Sequence, residues 1–194
     1  MMKKELVFLE MLSWHSDKPL TQLGLSKKLK ISLSTVNNAI KPLRLLGAID
    51  IMPRQIKLID KEKILMHWAN ARRLAKDIVY STYVDLNVKE IESNIPSEIM
   101  FTAYSAFKFW FNDVPADYSE VLVYASDEVI DEIKKRFPYR KGPSNLIVLK
   151  ANTWLMKKVS KNKAPKELVF VDLWNLKEWY ARAFTDALKK ELLI

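Results

Sequence analysis

Ser34, Thr35, Asn37, Asn38 and Lys41 fall within eight residues, at spacings that put them on one side of a helix. The other side of that helix would hold Val36, Ile40 and Leu43. The first set is a row of hydrogen-bond donors and acceptors, polar at its start and basic further on. An asparagine amide can pair with two edges of adenine, and serine or threonine hydroxyls can bond base edges or phosphate. Such a face suits a helix that reads a nucleic-acid groove. Its plain alternative is a solvated surface.

A face of this kind works only if the chain around it fixes the helix. Leu6, Phe8, Leu9, Met11 and Leu12 give a first helix an apolar side, and Asp17-Lys18-Pro19 should break it. Thr21 can cap a short second helix, with Leu25 and Leu29 four apart on one side. Ile31 lies in the turn, and Ser32 can cap the third helix by accepting from an orphan amide. The segment resembles a helix-turn-helix. Lys30 stands where many such turns carry glycine, at a cost of about 1 kcal/mol if its φ is positive. Pro42 donates no amide and should kink or end the third helix.

After Leu46-Gly47, residues 48–59 form two β-rich runs around Pro53-Arg54-Gln55, the pattern of a hairpin. Helix-turn-helix followed by hairpin is the winged-helix order. Arg54, Gln55 and Lys57 would then reach a backbone or minor groove, unless the hairpin is purely structural. The candidate DNA-binding residues are Ser32, Ser34, Thr35, Asn37, Asn38, Lys41, Arg54, Gln55 and Lys57.

Composition narrows the remaining chemistry. The 194 residues are 49% apolar and 28% charged, enough for a packed core. Net charge is +9, of which residues 1–65 carry +6, so the first third is the densest in positive charge. There is no cysteine, which removes disulfides, thiolate zinc sites and cysteine nucleophiles. His15 and His67 lie 52 residues apart. Gly24, Gly47 and Gly142 are too dispersed for a phosphate loop or dinucleotide fingerprint. No apolar run approaches the ~18 residues of a membrane span, and the start lacks a signal-peptide core. We therefore expect a cytoplasmic chain with no membrane partner, no cofactor, no metal and no catalytic residues.

The rest reads as a second unit. Lys61–Lys76 forms a helix that bridges to it, giving expected divisions of 1–60, 61–77 and 78–194. Strands are expected at 78–86, 121–125, 146–149, 154–159 and 168–172, and helices at 89–93, 100–110, 128–136 and 175–192. Asn175 with Glu178 looks like a capping box for the last helix, whose apolar stripe includes Leu176, Trp179, Tyr180, Phe184 and Leu188. Asp127, Glu128, Asp131 and Glu132 open one helix and Lys134, Lys135 and Arg136 close it, which the helix dipole explains without a metal. The fold class expected is α+β, a winged helix followed by a mixed α/β sandwich. Lys157, Lys158, Lys161, Lys163 and Lys166 fall within ten residues, either a solvated connector or a second polyanion contact.

In order, Leu33-Ser34-Thr35-Val36-Asn37-Asn38-Ala39-Ile40, the hairpin, Phe101-Thr102-Ala103-Tyr104-Ser105-Ala106, Val121-Leu122-Val123-Tyr124 and Phe170-Val171-Asp172-Leu173 resemble the AbiEi-like winged-helix regulators. These are antitoxin and repressor components of type IV toxin–antitoxin systems, with archaeal relatives. The resemblance implies an N-terminal DNA-binding unit and a C-terminal α/β regulatory or partner-binding unit. Double-stranded DNA is the implied partner, with a cognate toxin or other protein and a homodimer as further candidates. The second unit also resembles a degenerate nucleotidyltransferase core. A working one needs Gly-Ser or Gly-Gly before its helix and paired carboxylates on its strand. Here Ala103-Tyr104-Ser105 and Leu122-Val123-Tyr124 stand in those places. The enzymatic alternative would rest on Asp113, Asp117 or Asp127, and the other alternative is an RNA- or protein-binding adaptor.

Overall fold

The computed structural model describes residues 1–15 and 18–192, and these form a mixed α+β fold with two small sheets. Asp17, expected to help break the first helix, lies outside the described residues, as do 193–194. The chain divides into two compact units, with the boundary between Arg72 and Arg73.

In the first unit, α1 (Lys3–Leu12) buries Leu6, Val7, Phe8, Leu9, Met11 and Leu12. Its two buried acids have cationic partners. Arg72 Nη1 lies 3.2 Å from Glu5, and Lys28 pairs with Glu10. The Thr21 hydroxyl accepts the Gly24 amide at 2.9 Å and starts α2 (Gln22–Leu29). A Cβ at Gly24 would sit 2.9 Å from that hydroxyl, so glycine is what admits the cap. α2 ends at Lys30 with φ 52° and ψ 45°, the left-handed geometry anticipated for a glycine position. The Ser26 hydroxyl donates to the Ile31 carbonyl and tightens the turn.

Ser32 then opens α3 (Leu33–Leu45), its hydroxyl accepting the Thr35 amide at 3.1 Å. Val36, Ala39, Ile40 and Leu43 are buried. Pro42 lies inside this helix and does not end it. The bond it forgoes is the one to the Asn38 carbonyl, at an exposed residue, while Ile40 and Leu43 anchor the inner side. The helix ends at Gly47, φ 65°, where amides 47 and 48 donate to carbonyls 44 and 43.

Strands β1 (Ile49–Met52) and β2 (Gln55–Leu58) pair antiparallel around Pro53-Arg54. The Ile56 amide donates to the Leu20 carbonyl, which ties the hairpin to the chain before α2. Asp60 caps α4 (Lys61–Ala71), whose Ile64, Leu65, Trp68 and Ala69 are buried. α4 packs on α1, with Phe8 edge-on to His67 at 5.6 Å. The helix read as a bridge is thus part of the first unit's core.

The second unit is built on a four-stranded sheet in the order β3 (Ile78–Thr82), β6 (Leu146–Lys150), β5 (Val121–Ala125), β4 (Met100–Thr102). β5 and β6 are parallel, and the outer pairs are antiparallel. α5 (Val88–Asn94) begins in an Asn87–Glu90 capping box, and α7 (Asp127–Arg136) links β5 to β6. Three expectations are corrected here. Residues 100–110 are not one helix but β4 followed by α6 (Ala103–Phe111). Residues 154–159 hold α8 (Thr153–Met156) and a turn rather than a strand. Residues 168–172 lie in α9 (Lys166–Trp174), and Leu168–Leu173 are all buried. A helix enclosed on every side shows the same unbroken apolar run as a buried strand.

The last helix is also shorter than expected. α10 (Ala181–Leu192) begins six residues late, and Asn175 closes α9 by donating to the Val171 carbonyl. Glu178 is not its capping partner but accepts the Tyr104 hydroxyl, and Trp179 is 84% exposed. Asp172 of α9 is fully buried, with the Thr102 hydroxyl donating to it at 2.7 Å and the Tyr124 hydroxyl at 2.9 Å. Among the described residues, no helix is long and apolar enough to cross a membrane.

Candidate nucleic-acid interface

The inward side of α3 decides what its outward side presents. With Val36, Ala39, Ile40 and Leu43 in the core, the intervening Ser34, Asn37, Asn38 and Lys41 are exposed. The hairpin does the same for its own row. Ile49 and Ile56 are buried, leaving Arg54, Gln55 and Lys57 exposed.

The nine candidate residues separate by what they touch. Ser32 and Thr35 are bound to each other, with hydroxyl oxygens 2.8 Å apart, so both serve the helix cap. Gln55 Nε2 lies 3.3 Å from Met52 Sδ. Ser34, Asn37, Asn38, Lys41, Arg54 and Lys57 make no side-chain hydrogen bond or ion pair with any described residue. Six solvated polar groups in one small unit keep their full bonding capacity for something outside it. Asp50 is the cross-strand partner of Lys57 but forms no ion pair with it.

Apolar groups that no motif announces stand beside this face. A cleft of about 280 Å³ lies between the starts of α2 and α3 and the hairpin, lined in part by Leu23, Leu33, Met52, Pro53 and Gln55. Leu33, at the first turn of α3, is 48% exposed. Its spacing from Val36 and Ile40 suggests burial, and only the position of the preceding turn turns it outward. Lys28, by contrast, is committed internally, to Glu10 and to the Trp14 ring at 5.0 Å.

In the second unit the proposed acids do not converge. Asp113 accepts the amide of Val114, and Asp127 is bound to Lys150 at 2.9 Å. The acids of α7 have local partners, with Asp131 near Lys134 at 3.7 Å and Glu132 on Arg136 at 2.8 Å. The Glu128 carboxyl is held below the usual range by hydrogen bonds from its own amide and from Ser126. Among the described residues, no three His, Asp or Glu side chains are grouped to hold a metal ion. A cleft of about 360 Å³ near Tyr83, Phe137 and Arg140 is flanked by Arg136, whose guanidinium is spent on Glu132 and the Asn94 carbonyl. Lys157, Lys158, Lys161 and Lys163 lie between α8 and α9, and Lys166 is the first residue of α9.

No protein-family model matches this chain, and neither a curated protein nor a solved structure matches it significantly.

Proposed function

We propose that this chain is a sequence-specific DNA-binding transcriptional regulator, with the first unit acting as a winged helix-turn-helix. One observation carries the reading. Ser34, Asn37, Asn38, Lys41, Arg54 and Lys57 stand exposed and without intramolecular partners, on a capped helix and a hairpin of one small unit. In this reading α3 enters the major groove. Asn37 and Asn38 pair with base edges, each good bidentate pair discriminating by about 1–3 kcal/mol. Leu33 supplies an apolar contact for a thymine methyl. Lys41, Arg54 and Lys57 neutralise phosphates and set the register without reading sequence.

The resemblance to AbiEi-like regulators suggests the form of that regulation, autorepression by the antitoxin of a toxin–antitoxin pair. The second unit would then meet the toxin or another protein, and two copies of the chain would read two half-sites. A scaffold role suits that unit better than nucleotidyl transfer, because its acids are dispersed and locally paired.

The test is a salt series on a duplex with wild type and Arg54→Gln/Lys57→Gln. Each lost phosphate contact lowers the slope of log K against log salt by about 0.9, so the double variant should flatten it by about 2. A slope unchanged in the variant would remove the hairpin from the interface. No binding by wild type at low salt would reject the DNA reading altogether.

A further inference from the structure

Two ammonium groups of the second unit converge on one tryptophan. Lys163 Nζ lies 4.1 Å from the centre of the Trp110 ring, and Lys166 Nζ lies 5.6 Å from the same ring and 4.6 Å from Phe111. Both aromatic residues are on α6 and half-buried. The Trp110 indole donates to the Ala164 carbonyl at 2.9 Å, and Lys163 Nζ donates to the Phe109 carbonyl at 2.9 Å. Further along, Lys158 Nζ lies 5.0 Å from the Trp154 ring.

The backbone that carries these lysines is built rather than slack. Ser160 and Lys163 exchange both backbone hydrogen bonds across Lys161-Asn162. Those two residues have φ of 51° and 61°, as a two-residue turn of the primed kind requires. The turn is fastened to β4, the edge of the sheet. The Phe101 amide donates to the Asn162 carbonyl at 2.7 Å and the Ala164 amide to the Phe101 carbonyl at 2.9 Å. The loop therefore covers a sheet edge and holds its lysines in fixed relation.

The charge on this loop is unbalanced. Lys157, Lys161, Lys163 and Lys166 form no ion pair among the described residues, and Glu167 is the single carboxylate between residues 151 and 171. Desolvation, then the nearby charges of Lys161 and Lys166, hold the Lys163 ammonium below the ordinary lysine range. Aromatic faces relieve such crowding only in part. The remaining repulsion is what an external polyanion would remove.

We infer that the 157–166 loop is a second nucleic-acid site, where Lys157, Lys161, Lys163 and Lys166 hold the phosphodiester backbone of duplex DNA. The chemistry favours phosphate over an acidic protein. All the charges are lysine ammonium groups, which hold phosphate as point charges without a fork. Trp110 lies under ammonium groups instead of standing open as the aromatic anchor a protein interface uses. The choice of duplex rests on the DNA reading of the first unit, while the lysine site itself does not.

The experiment uses the full chain and a random-sequence duplex about three helical turns long. Lysine acylation is followed by mass spectrometry with and without the duplex. Severalfold protection of Lys157, Lys161 and Lys166 is expected alongside Lys41 and Lys57. Protection of the loop without the first unit would keep this inference and reject the reading of α3. Protection of the first unit alone would do the reverse, and no protection anywhere would reject both. In the salt series, Lys157→Gln/Lys161→Gln/Lys166→Gln spares Lys163 and its packing and should lower the slope by about 2–3. An unchanged slope in this variant overturns the site. Competition by polyglutamate as strong as that by DNA of equal charge overturns it in favour of an acidic protein.

Discussion

Asp172→Ala should destabilise the second unit by about 2–5 kcal/mol, and the figure follows from who loses a partner. Thr102 donates to this carboxylate at 2.7 Å, and Tyr124 donates to its two oxygens at 3.1 and 2.9 Å. All three residues are fully buried, so water cannot replace the acceptor. Each stranded hydroxyl costs about 1–3 kcal/mol. Relief from no longer burying a carboxylate trims the sum. A domain of this size has only about 5–15 kcal/mol in total. Urea unfolding followed by fluorescence measures the change, with Thr102→Val/Tyr124→Phe added to Asp172→Ala as a second variant. Removing the stranded hydroxyls should recover part of the loss, because apolar groups in their place need no acceptor. A loss under about 1 kcal/mol in Asp172→Ala, or no recovery in the triple variant, would refute the argument that this carboxylate joins α9 to β4 and β5.

Ser32→Ala removes the acceptor of the Thr35 amide and should cost about 1 kcal/mol, read as a lower Tm. Sequence preference on DNA should survive that change, because the Ser32 hydroxyl is spent on the cap. Burial first and the Lys4 charge second hold the His67 imidazole below its ordinary 6.5. The unfolded chain therefore binds that proton more tightly, so this contribution is full above about pH 6.5 and is lost as pH falls through the lower folded value. Thermal melting at pH 7.5 and 5 should show a smaller drop for His67→Gln than for wild type, and equal drops would remove His67 from the account.

What the residues revealed in advance was chiefly what local chemistry dictates. Thr21 and Ser32 mark helix starts because their hydroxyls satisfy orphan amides, and both do so here. Gly47 marks a helix end, and Pro53-Arg54 marks a hairpin tip between alternating apolar residues. Lys30 shows the positive φ that its position implied. The failures fall where pattern carries no directional information. Leu168–Leu173 is buried all round, so neither period 2 nor period 3.6 appears, and nothing in the run separates helix from strand. The break between Thr102 and Ala103 falls within a continuous apolar run, and Ala103 at φ 50° carries no glycine to announce it. α4 has an ordinary apolar stripe that does not say which unit it faces. Of the candidate site, the polar row was legible from spacing. The spending of Ser32 and Thr35 on each other, the outward turn of Leu33 and the pinned turn at Lys161-Asn162 depend on contacts that only the folded chain sets.

The central claim is that α3 reads bases. Fluorescence anisotropy tests it most directly, with wild type and Asn37→Ala/Asn38→Ala on the duplex upstream of this chain's own reading frame and on a scrambled duplex. Wild type should prefer the upstream duplex, and the variant should lose that preference by about 5–150-fold per bidentate pair removed. Both proteins should keep their weaker, salt-sensitive binding to the scrambled duplex. Equal wild-type affinity for the two duplexes, or a variant that weakens equally on both, would contradict base reading by Asn37 and Asn38.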